Sequence, residues 1–220
     1  SAWIIEDLFV VLRALMTSSA GEEPPMKRLS TSVLAVDANE RMTVLAGFLL
    51  IPLLGVETLT ALSVRRLLPV HILVGLWLLP LVALKLASTG YRMVMYYSRD
   101  PDYLSAGPPA WLPRLLAPVV VASTLVLFGS GTVLWAAGPG AVDPWMSIHK
   151  VSFVLWGAAT GIHVLSHLQH TLADGLAEIR SRGKARNMRG SVAISALVAG
   201  LLIGGIGAGR GPAWPAGDEE

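Results

Sequence analysis

The hydrophobic and polar positions of this chain alternate on the scale of a bilayer. Apolar runs of about 20 residues, the length of helix that crosses a membrane, recur between short polar stretches. Five are predicted to be transmembrane helices: residues 42–62, 68–89, 114–137, 145–170 and 191–208. Residues 3–16 are apolar but broken by Glu6, Asp7 and Arg13. They are too short to span, and they predict an amphipathic helix lying at the interface or packed on the bundle. Residues 17–40 read as a polar linker, and residues 90–113 as a long loop with the breaker run Gly107-Pro108-Pro109. The expected fold is all-α, a polytopic membrane helical bundle. Its parts are an N-terminal helix and linker (1–40), a four-helix core (41–170), a basic linker (171–190), and a fifth transmembrane helix with an acidic tail (191–220).

Composition supports this pattern. Charged residues make up 15% of the 220 positions, against roughly 25% in soluble domains, so no large soluble domain is expected. With a net charge of only +2, no nucleic-acid partner is expected, and membrane lipid is the immediate surrounding. There is no cysteine, which excludes disulfides, thiol catalysis and Cys-ligated iron–sulfur or zinc sites. No segment near the N-terminus has the basic–apolar–small order of a signal peptide. Lys and Arg are asymmetric: eleven fall on the side of the N-terminus, the second-to-third loop and the fourth-to-fifth loop, against four (Arg65, Arg66, Lys150, Arg210) on the other. The positive-inside rule then predicts a cytoplasmic N-terminus in a cell membrane. The Gly-rich run 204–209 has no preceding strand, so helix packing explains it better than a dinucleotide loop.

Candidate chemistry is concentrated in histidine. Four of the five histidines lie within residues 145–170. His149 and His163 are 14 residues apart, which returns to nearly the same helix face about 21 Å further along. Spans two and four run in the same direction, so His71 and His149 are expected at similar depth near the outer surface. One haem between them would receive an imidazole on each axial face, with Gly75, one turn below His71, leaving room for a flat macrocycle. The same 14-residue step from His71 reaches Lys85. Lys85 is open to three roles: ligand to a second haem, partner of a propionate, or a side chain that snorkels to the surface. His167, four residues beyond His163, is a reserve ligand. Glu57, the one acid inside a span, could handle protons, hydrogen-bond a histidine's second nitrogen, or face water. Arg65, Arg66 and Lys150 are candidates to pair with propionates or to anchor the surface.

Val70-His71-Ile72-Leu73-Val74-Gly75, Leu84-Lys85-Leu86, Ile148-His149-Lys150 and Gly161-Ile162-His163-Val164, with Asn39-Glu40-Arg41 before the first span, resemble a superfamily of small membrane b-type cytochromes. These include cytochrome b subunits of formate dehydrogenases and nickel–iron hydrogenases, and membrane domains attached to bacterial molybdopterin oxidoreductases. The resemblance covers about residues 39–170. It implies a four-helix haem-binding core, electron transfer across the membrane, and exchange with a redox partner subunit or a quinone. It also implies haem b, with His71 and His149 as axial ligands of one haem and His163 as a ligand of a second. The chain departs from di-haem relatives in having no histidine on its first two spans except His71, which leaves the position opposite His163 to Lys85 or open. The rival expectation is a non-redox membrane protein: a scaffold, an assembly factor or a metal transporter using His163, His167 and His170.

Overall fold

The computed structural model describes residues 25–107 and 111–210. Six α-helices follow in order: α1 Pro25–Leu62, α2 Val64–Tyr97, α3 Pro101–Ser105, α4 Trp111–Ala137, α5 Val142–Arg180 and α6 Lys184–Arg210. A short 3-10 turn, Gly138–Ala141, joins α4 to α5. All but α3 are long and apolar enough to cross a membrane, and among the described residues there is no strand. The helical-bundle architecture expected from the hydrophobic pattern is the one observed.

Helix is the element that satisfies every backbone group without water, which is why long apolar runs adopt it in lipid even where proline interrupts them. Pro52, Pro80 and Pro118 all lie inside helices. Near the start of α2, Leu67 leaves the helical region (φ −114°, ψ 20°) two residues before Pro69, where the proline ring crowds the preceding turn.

The helices form a ring. α1 packs on α2 and α5, α4 packs on α5, and a shorter contact between α2 and α4 closes it. α2 and α5 therefore stand at opposite corners. α6 lies outside the ring along α2, and glycine permits the contact. A Cβ at Gly200 would run into the Trp77 carbonyl, and one at Gly204 into the Leu73 carbonyl. The Trp77 indole donates to the Leu197 carbonyl (3.0 Å), and that of Trp135 to the Gly207 carbonyl (3.0 Å). Ala46, Leu50, Val74, Leu78 and Leu81 form the buried core of the α1–α2 contact, with Leu197 of α6 against it.

At the end opposite the histidine pair, a polar belt ties the ring together. Asn39 is buried and donates to the Ser88 carbonyl (3.2 Å). Glu178 of α5, also buried, accepts from Arg189 of α6 at 2.7 Å and from Arg41 of α1 at 3.4 Å. Arg92 lies 3.9 Å from Glu40. Asp100 caps the short α3 by accepting from the Asp102 and Tyr103 amides; burial is the main cause that pushes the Tyr103 phenol above its usual range.

Three expected loops are largely helix. The linker over 17–40 is helical from Pro25 onward. The loop over 90–113 begins only after Tyr97, and the basic linker over 171–190 shrinks to a break at 181–183. Polarity was the signal for a linker in each case. Polar side chains that find partners on neighbouring helices, as Asn39, Arg92 and Glu178 do, leave helix intact at a membrane boundary. The helix expected over 3–16 and the acidic end of the tail lie outside the described residues.

Candidate functional site

α2 and α5 present His71 and His149 across the ring, and the structure brings these two side chains together. Their ring centroids are 6.3 Å apart with the planes at 75°. Both side chains are half-buried, on helices that do not pack closely on one another.

Each imidazole is held by its Nδ1. His71 Nδ1 lies 2.9 Å from Glu57 Oε1 on α1. Thr60, one turn beyond Glu57, has its hydroxyl 2.8 Å from the Glu57 carbonyl, 3.1 Å from Glu57 Oε2 and 3.4 Å from His71 Nδ1. His149 Nδ1 lies 3.1 Å from the Leu127 carbonyl and 3.1 Å from Ser130 Oγ, both on α4. A carboxylate and a carbonyl are acceptors only, so both rings are set as the Nδ1–H tautomer. Ser130 donates its own hydrogen to the Leu127 carbonyl (3.0 Å), which leaves its lone pairs for His149. Among the described residues neither Nε2 has a hydrogen-bond partner.

Two glycines admit these groups. A Cβ at Gly131 would stand 3.0 Å from His149 Cε1, tighter than ordinary contact, so glycine lets the ring lie against α4. A Cβ at Gly75 would stand 3.2 Å from Glu57 Oε1. The missing side chain at Gly75 leaves room for the Glu57 carboxyl group that holds His71.

Two imidazoles with ring centroids 6.3 Å apart are close enough for each to give a nitrogen to one iron. A metal-bound histidine characteristically donates its other N–H to a carboxylate or carbonyl, and both rings here do so. Among the described residues no group of three His, Cys, Asp or Glu side chains gathers that could hold a bare metal ion.

The second level is different. Lys85 Nζ donates to the Thr43 carbonyl of α1 (2.7 Å) and lies over Gly47, where a Cβ would meet it at 3.1 Å. Thr171 of α5 approaches the same glycine, and it lies two turns past His163. The Lys85 amine thus gives its hydrogen bond to α1, beside a residue of the helix that carries His163. His163 stacks edge-on with His167 at 5.4 Å, and its Nδ1 is buried with no hydrogen-bond partner among the described residues. His170 is exposed and joins no metal-binding group. Among the described residues His163, His167 and His170 do not gather as a metal-binding group.

Thr60, Leu127, Ser130 and Gly131 were not singled out as site residues. Thr60 could have been found from its spacing of three from Glu57. The Leu127 carbonyl has no side-chain signal, and Gly131 reads equally well as a helix-packing glycine. No family model, curated protein or solved structure matches this chain.

Proposed function

We propose that this chain is an integral membrane b-type cytochrome, a conduit and anchor that passes electrons between a redox partner subunit or a quinone and a haem held inside the bundle. The observation that carries this reading is the His71–His149 pair: centroids 6.3 Å apart, each Nδ1 held by an acceptor, each Nε2 without a partner among the described residues. When bound, haem supplies one-electron iron chemistry that no side chain here offers.

The chain's own residues would do the rest. His71 and His149 ligate through Nε2. Glu57 and Thr60 orient His71, and the Leu127 carbonyl and Ser130 orient His149. Glu57 holds His71 through a side chain of α1, and the Leu127 carbonyl holds His149 through the backbone of α4. The surrounding apolar helices keep water from the iron. The geometry supports one haem per chain. The likeness of residues 39–170 to the membrane cytochrome b superfamily points the same way, with the N-terminus on the cytoplasmic side of the cell membrane by its Lys and Arg distribution.

Expression with haem supplied, followed by purification in detergent, is the direct test. A Soret band with one haem per chain and a low-spin EPR signal is the expected outcome. A colourless protein that retains its helical circular dichroism would sink the reading in favour of a non-redox scaffold.

A further inference from the structure

At the end of the bundle opposite the histidine pair, a crevice of about 180 Å³ opens between α1, α5 and α6. Its walls are Leu45, Leu49, Ile179, Ala193, Ile194 and Leu197, with Glu178 and Arg186 at the polar end. A methylene group takes up slightly less space than the ~30 Å³ of a liquid water, so the crevice holds about six. Membrane-spanning helices form its walls, and Ile194 at its side is exposed.

The charges beside it do not cancel. Glu178 is shared by Arg189 and Arg41, so the one acid lining the crevice is already compensated. Arg186 is half-buried and makes its hydrogen bonds to the Ile179 carbonyl (3.0 Å) and Asn187 Oδ1 (3.5 Å), both neutral. Among the described residues Arg186 has no acidic partner, and neither have Arg180, Arg182 and Lys184 on the same α5–α6 turn. Gly183 (φ 136°) makes that turn tight enough to hold the cations together. Arg186 thus stands at the apolar slot without an acidic partner among the described residues, and three further such cations, Arg180, Arg182 and Lys184, lie on the adjoining turn.

We propose that this crevice is a binding site for an anionic phospholipid, with part of one acyl chain between α1 and α6 and the phosphate on Arg186 and its neighbours on the turn. The apolar walls match a chain, the open cations match a phosphate, and such basic pockets beside membrane helices recognise anionic headgroups. The site is independent of whether the histidine pair holds haem.

The test uses the purified full chain in a neutral detergent. Its melting temperature is followed as phosphatidylglycerol, phosphatidylcholine with the same chains, or inorganic phosphate is added. Phosphatidylglycerol is expected to raise the melting temperature saturably, and the other two are not. Arg186→Gln should weaken half-saturation about fivefold, and Arg186→Gln with Lys184→Gln about 25-fold. Gly190 lines the crevice, and a Cβ there would meet nothing within 4 Å. Gly190→Leu should therefore fill the slot and abolish the response with every charge intact, and Ile194→Trp serves the same purpose if Gly190→Leu does not fold. Equal responses to the two lipids, or an undiminished phosphatidylglycerol response in the folded slot-filling variant, would overturn the proposal. A shift produced by inorganic phosphate alone would overturn it in favour of a free-anion site.

Discussion

The two levels at which this bundle presents histidine use the same residue type on the same helix, yet they differ in what surrounds the ring. At the first level, His149 meets His71 from the opposite corner, and every Nδ1 has an acceptor. At the second, His163 has another histidine of its own helix beside it, a buried Nδ1 with no partner among the described residues, and a lysine nearby whose amine donates to the Thr43 carbonyl. A buried ligand needs its second nitrogen satisfied and its first left free. The first level meets both conditions. The comparison separates two imidazoles whose Nδ1 atoms are both held from a pair of neighbouring rings, and position on a helix face does not by itself make that distinction.

The sharpest way to break the comparison is to remove ligands from each level in turn. His71→Ala and His149→Ala should each reduce haem to background, because one remaining imidazole leaves the iron half-ligated in an apolar site. His163→Ala should retain the wild-type content. Pyridine haemochrome per mole of folded protein measures all three. Equal loss in the His163 variant would make the two levels equivalent.

Within the first level, the two imidazoles are held by acceptors of different charge, which predicts unequal effects. Glu57→Gln keeps the shape but replaces the carboxylate on His71. Loss of such a supporting partner typically costs 10- to 100-fold in metal affinity, so haem transfer to apomyoglobin should accelerate by about that factor. Ser130→Ala should cost less than about tenfold, because the Leu127 carbonyl still accepts from His149 Nδ1. If the serine variant lost haem as fast as the glutamine variant, the carboxylate would have no special part in orienting His71.

Much of this site was legible in the residues alone, for identifiable reasons. Spans one to five follow from apolar length, and the facing of His71 and His149 follows from alternating helix direction. Glu57 could be placed near His71 because it is the one acid inside a span. What could not be read were contacts that leave no periodic mark. Ser130 and Gly131 lie in a run that packing alone would explain, and the Leu127 acceptor is backbone. Lys85 shows the converse: its 14-residue spacing from His71 is regular, but spacing does not reveal that its flexible four-carbon stem brings the amine to the Thr43 carbonyl. Helix ends were misjudged because belts such as Glu178 with Arg189 and Arg41 are polar in sequence and satisfied in space.

The smallest effect is expected at the second level, and its sign is the informative part. A buried polar atom without a partner costs about 1–3 kcal/mol, and His163 Nδ1 is such an atom. If His163 has no ligand to hold, His163→Leu removes that cost while keeping an apolar group against α5's neighbours. The melting temperature should then stay level or rise, with haem content unchanged. Lys85→Met should lower it modestly, through loss of the hydrogen bond to Thr43, and should also leave haem content unchanged. A second haem would reverse the first result: His163→Leu would lose half the haem and melt earlier, because the nitrogen would have been bound to iron. Measuring both quantities on the same sample decides whether the second level is an unfinished copy of the first or ordinary packing between helices.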